Sequence, residues 1–157
     1  MSQKPVTDID VYYNIALITL DNLPDDIMLI SQIFSSIASE GINIDMVSKA
    51  PPYRGSVNIS FSISSDDLVK AIKTLNKYKE SVHNLVIEVD AYNTKISVFG
   101  KEMKNIPGVA ARLFTVLAAE GIQIKLVTTS EVDISYLIDE KDVDKAIDSI
   151  KKEFSLT

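Results

Sequence analysis

Phe34, Ala38, Glu40, Gly41, Ile42, Ile44 and Val47 recur without a gap as Phe114, Ala118, Glu120, Gly121, Ile122, Ile124 and Val127, at one constant offset of 80 residues. Such self-similarity marks an internal repeat, and it restricts the chain to folds built from two copies of one unit. Past the following turn, Ile59, Ser60, Ala71 and Ile72 match Ile134, Ser135, Ala146 and Ile147 at an offset of 75, so the first copy carries 5 extra residues around Ala50 to Ser56.

The second copy shows what the unit is. Ile96 and Val98 alternate as in a strand, a polar loop follows, and a helix is expected to open at Pro107-Gly108 with Val109, Ala110, Leu113, Phe114 and Leu117 on its apolar face. Gly121 can take the left-handed conformation that closes a helix, and Ile122, Ile124 and Leu126 alternate as a second strand. A third strand follows the Thr129-Ser130-Glu131 turn, and a second helix presents Val143, Ala146, Ile147 and Ile150. Strands joined by a helix can lie parallel, whereas a short turn places its strands antiparallel.

The first copy follows the same order. Asn14 to Leu20 reads as a strand with Ala16, Ile18 and Leu20 on one face, and Ile27, Ile30, Ile33, Phe34 and Ile37 form a helical stripe. Ile42, Ile44 and Met46 alternate as the next strand; Leu68, Ala71, Ile72 and Leu75 line the second helix, and Asn84 to Asp90 reads as a fourth strand. Ser64 and Asp139 are suitable N-caps for the second helices. The pattern βαββαβ is ferredoxin-like, so the expected class is α+β, with two units that each carry a four-stranded antiparallel sheet and two helices on one face. Beyond Phe154 the second copy lacks a fourth strand, while Val6 to Val11 is one strand too many for the first. The N-terminal strand is therefore expected to cross over, giving a first unit over 14–91 and a second over 92–157 plus 6–11.

Composition narrows the function. The 157 residues carry a net charge of −6 with scattered basic side chains, which argues against a nucleic-acid partner. RNA binding on this fold also needs exposed sheet aromatics, and Phe61 and Tyr136 share the alternating set of Ile59 and Ile134, which reads as core. With no cysteine, one histidine (His83, in a polar connector) and no glycine-rich phosphate loop, thiol chemistry, metal sites and phosphoryl transfer are poorly supplied. No catalytic residue, metal or cofactor is assigned. Polar Ser2-Gln3-Lys4-Pro5 follows Met1, and no apolar run nears the roughly 20 residues that span a bilayer, so a cytoplasmic protein without a membrane partner is expected.

Several strings in both copies resemble one family. KISVFGKEM, IPGVAARLF, LAAEGIQIKLVTTSEVDISYLI and KAI in the second copy, and NIALITL, Leu23-Pro24-Asp25, IFSSIASEGINIDMVS, VNISFSI and DDLVKAI in the first, are similar to the regulatory region of aspartate kinases, a tandem pair of ACT domains. The resemblance implies a module that binds a free amino acid such as lysine or threonine for feedback control. It also implies a homodimer in which ACT units pair across the interface, and an aspartate kinase catalytic subunit as a further partner. An ACT scaffold for dimerisation, without a ligand, is the alternative.

An amino acid needs N–H donors for its carboxylate and carbonyls or carboxylates for its ammonium, and the first turn of a helix supplies unpaired N–H groups. In the second copy this selects Asn105, Ile106, Pro107, Gly108, Val109 and Ala110, with Pro107 setting φ for the helix and Gly108 leaving the main chain open to a ligand. The gapless alignment puts Ile27 and Met28 at the places of Pro107 and Gly108, a departure from the family pattern that would crowd a ligand. Lys49 and Ala50 depart from it as well. Asp25 and Asp26 could hold an ammonium group or simply suit the helix dipole. Asn43 and Gln123, beside Ile44 and Ile124 at equivalent strand starts, stand where the family contacts its effector, or else make cross-strand bonds.

Overall fold

The computed structural model describes residues 4–157; Met1 to Gln3, on which part of the cytoplasmic expectation rests, lie outside the described residues. Ten main elements follow in order: β1 (Asp8–Pro24), α1 (Ile27–Ser39), β2 (Val47–Lys49), β3 (Ser56–Ser64), α2 (Leu68–Asn76), β4 (Val86–Phe99), α3 (Val109–Ala119), β5 (Leu126–Thr129), β6 (Asp133–Asp139) and α4 (Val143–Glu153). They form two compact units, one of Asn14–Tyr92 and one of Asn93–Thr157 with residues 4–13. Both have the expected ferredoxin-like arrangement.

In the first unit the strand order is β2-β3-β1 followed by the first part of β4. Ala16, Ile18 and Leu20 stand opposite Ile63, Phe61 and Ile59, so the period of two sends one apolar row from each strand toward the helices. That row meets Ile33 and Ile37 of α1 and Ala71 and Leu75 of α2, all essentially without solvent exposure. Phe34 packs edge-on against Phe61, with ring centroids 5.4 Å apart.

The second unit repeats this packing. Ile96 and Val98 stand opposite Tyr136 and Ile134, and Phe114 meets Tyr136 edge-on at 6.0 Å. On the face away from the helices, Thr19 and Ser60 share a hydrogen bond at 2.9 Å in the first unit, as Ser97 and Ser135 do at 2.8 Å in the second. The helix pairs are clasped differently. Tyr78 Oη meets Ser36 Oγ in the first unit, whereas in the second Arg112 pairs with Glu153 and lies over the Phe154 ring. The N-terminal segment adds to the second core: Val6 is fully buried there, Ile9 and Val11 pack against it, and the Thr7 N–H donates to the Phe99 carbonyl at 2.8 Å.

Three boundaries differ from those read in the sequence. First, β1 is one strand where two were expected, and β4 joins the piece at Asn84 to Asp90 with the strand of Ile96 and Val98. Asn14 (φ 62°) and Tyr92 (φ 63°) sit at the passages between units, and a left-handed residue inside a strand kinks it as a bulge does without ending it. Second, regular pairing of β2 begins at Val47, not Ile42. The Asp45 N–H goes to the Ser62 carbonyl and the Met46 N–H to the Ser62 hydroxyl, so two residues face one and the ladder is interrupted. Ile122 to Lys125 likewise precede β5 outside the ladder. Third, α2 and α4 each follow a single 3-10 turn, with Ser64 capping Asp66 and Asp139 capping Lys141 through their side-chain oxygens.

The Tyr136 hydroxyl is buried with no hydrogen-bond partner among the described residues, and burial pushes its pKa well above the ordinary value of 10.0. Phe61, at the matching place in the first unit, has no such group to bury.

Candidate ligand-binding site

The chain reaches α3 through a 3-10 turn, Met103–Asn105, and the helix starts at Val109, two residues later than Pro107 suggested. Gly108 is the N-cap, left-handed at φ 85°, and no side chain caps this end. A Cβ placed on Gly108 would meet nothing within 4 Å, so glycine is needed for the backbone angle, and the space above the turn is open. The first rung of the helix is Arg112 N–H to the Gly108 carbonyl at 3.0 Å. The N–H groups of Val109, Ala110 and Ala111 therefore lie ahead of the ladder, at the positive end of the helix dipole.

Val109 and Ala110 border a hollow of about 380 Å³. Ile106, Gly108, Val109 and Ala110 line it, together with Met103 and Lys104. Thr129, Ser130, Glu131 and Ile134 of the β5–β6 hairpin line it from the sheet side. The arrangement offers amides for a carboxylate, the Glu131 carboxylate for an ammonium, and Met103, Ile106 and Ile134 for an aliphatic chain. The Thr129-Ser130-Glu131 string was legible, but only as a turn. That it folds back beside Gly108 depends on the β5–β6 pairing.

Other expected residues lie elsewhere. Asn105 spends its side-chain amide on Glu102 at 3.1 Å, and Pro107 is exposed one residue before the cap. Gln123 borders a different hollow, with Lys125, Asp139, Lys141 and Lys145, while Ile124 packs partly into the second core. One unit by itself thus does not bring Gln123 to Gly108.

In the first unit the helix start is closed by its own chemistry. Asp26 is the N-cap of α1, extended at φ −133°, and its carboxylate accepts from the Met28 N–H at 3.0 Å and the Leu29 N–H at 3.4 Å. Ile27 and Met28 are 73% and 65% exposed, and Asp25 donates its N–H to the Gly55 carbonyl. Asn43 is exposed, and Ile44 packs partly into the first core. A hollow of about 610 Å³ in this unit, beside Asn22, Ser56, His83 and Asn84, contains none of the expected site residues. Among the described residues no helix is long and apolar enough to cross a membrane, and no group of three or more His, Cys, Asp or Glu is placed to hold a metal ion.

The ACT domain family profile matches the chain twice, over residues 25–78 and 96–154. An aspartokinase of Bacillus sp. (strain MGA3) is 36% identical over 143 residues, and aspartokinase 2 of Bacillus subtilis (strain 168) is 34% identical over 143. Each match takes in 91% of this chain and 35% of the relative, so the chain spans about a third of the length of these relatives. Among solved structures, one of aspartokinase alpha and beta subunits superposes with a TM-score of 0.88 at 33% identity, covering 96% of this chain and 99% of that one. The ligand-free regulatory subunit of aspartate kinase from Thermus thermophilus superposes with a TM-score of 0.88 at 25% identity, with the same coverage. With both units matched by the family and two solved aspartokinase chains, one of them a regulatory subunit, matched nearly end to end, the chain belongs to the ACT domain family, as a tandem pair homologous to the regulatory region of aspartokinases.

Proposed function

We propose that the chain senses an aspartate-pathway amino acid, lysine or threonine, and passes its occupancy to an aspartate kinase catalytic subunit. The observation that carries this reading is the uncapped start of α3, where left-handed Gly108 presents free amides beside Glu131. The effector's carboxylate takes the amides of Val109 to Ala111 and its ammonium faces Glu131, while the side chain extends along Met103 and Ile106. The likeness to regulatory subunits supports a homodimer in which the first ACT unit of one chain pairs with the second of the other, and such pairing would give Asn43 of a second copy a route to the ligand. A cytoplasmic location goes with this role.

Calorimetric titration with a panel of the common amino acids tests the proposal, lysine and threonine first. Binding lost in Gly108→Val and weakened in Glu131→Gln is the expected result; silence across the panel overturns the sensing role. A second reading, an ACT scaffold without a ligand, is favoured by one observation, the self-capped start of α1 in the first unit.

A further inference from the structure

We infer that the Asp26 carboxylate is a built-in occupant of the first unit's helix start, so that each chain takes one effector and not two. This rests on the reading that the effector's carboxylate sits on the α3 amides. The two copies are an internal comparison, because they have like cores and the same strand register and differ at this place.

At the constant offset, Ile27 and Met28 stand for Pro107 and Gly108. In the second unit those two residues make a left-handed turn ahead of the helix. In the first they are its first two residues, and α1 accordingly has 13 residues where α3 has 11. The helix has grown back through the place where the other unit opens.

Growth alone would only move the free amides along the chain. Here they are also used: of the three N–H groups ahead of the first rung, which is Ile30 N–H to Asp26 carbonyl at 3.1 Å, those of Met28 and Leu29 both point at Asp26 Oδ1. A carboxylate ligand would have to displace another carboxylate held in place by the chain, and would sit beside its negative charge once it had. An intramolecular competitor acts at an effective concentration of roughly millimolar, which raises the concentration a free carboxylate needs to displace it. Nothing comparable guards α3, where the cap is a glycine with no side chain to offer. The sequence difference therefore has a functional meaning: the second unit senses, and the first has an acidic side chain where a ligand's acid would lie.

The test is a titration of the full chain with L-lysine and with L-threonine, read by calorimetric stoichiometry and by backbone amide NMR shifts. The wild-type chain should bind one equivalent per chain, moving the amides of Val109 and Ala110 and leaving those of Met28 and Leu29 in place. Asp26→Asn keeps an oxygen on the same amides and should stay at one equivalent. Asp26→Ala removes it and should admit a second equivalent with shifts at Met28 and Leu29. Two equivalents in the wild-type chain, or Asp26→Ala indistinguishable from Asp26→Asn, overturns the inference while leaving the sensing role intact. No heat and no shift at Val109 with either amino acid overturns the sensing role and the inference with it.

Discussion

Gly100 follows β4 directly, and its replacement by alanine should release the N-terminal segment from the second unit. A Cβ built there lies 1.8 Å from the Pro5 carbonyl oxygen, 2.7 Å from the Pro5 carbonyl carbon and 3.2 Å from the Val6 Cα. All three are backbone atoms, and ordinary C···O approach is roughly 3.3 Å, so the segment has to shift by more than an ångström. The ring of Pro5 fixes its φ, which removes one of the torsions through which the segment could move aside. Displacement draws Val6 out of the core and breaks the Thr7 N–H bond to Phe99. Losing a fully buried valine costs about 1.5–3 kcal/mol and losing the hydrogen bond about 1 kcal/mol, so the expected destabilisation is about 3 kcal/mol. Urea denaturation of Gly100→Ala measures it, in the full chain and in a chain starting at residue 8. Without the segment there is nothing to clash with, and the substitution should cost less than about 0.5 kcal/mol, within ordinary additivity. An equal cost in both backgrounds refutes the reasoning, as does a full-chain variant as stable as the parent.

Tyr136→Phe removes a buried hydroxyl that has no partner among the described residues, and should stabilise the chain by about 1 kcal/mol in thermal or chemical denaturation. The same variant carries a pH signature. A tyrosine whose pKa is raised in the folded state contributes stability that is intact below its unfolded value, near 10.0, and is lost as pH rises beyond it, so the parent should weaken above that pH more steeply than Tyr136→Phe. Gly108→Ala should cost about 1 kcal/mol from the left-handed angle alone, since its Cβ meets no atom; a cost well beyond 2 kcal/mol would mean that the open space is in fact filled. Arg112→Ala should cost about 1 kcal/mol or less for the ion pair, whose side chains are 43% and 38% exposed, and Arg112→Lys should recover only part of it because the flat contact with Phe154 is not restored.

The repeat carried the fold because its signal is local. Apolar residues at helical spacing in Ile30, Ile33 and Ile37, and at alternate positions in Ile59, Phe61 and Ile63, can bury one face in only one kind of element each, and a pattern that occurs twice specifies two like units. Gly108 was legible as a place where backbone is exposed for the same reason, since Pro-Gly between a strand pattern and a helix pattern has few conformations open to it. The chemistry of a single residue against its nearest neighbours in the chain is written in the chain.

What the order of residues could not settle were relations between distant segments. Glu131 comes to face the start of α3 because β5 and β6 pair in one register, and Ser62 interrupts β2 because its hydroxyl reaches the Met46 amide. Asp26 reads as a residue suited to a helix start, with an ammonium contact as the other reading, and which amides its carboxylate meets, at 3.0 Å and 3.4 Å, is fixed only in the folded chain. The 17-residue length of β1 escaped the sequence reading too, since a left-handed Asn14 bends a strand without ending it. Periodicity reports which face of an element is buried, through the spacing of its own side chains; what that face meets is fixed by closing loops of tens of residues, and no local pattern encodes it.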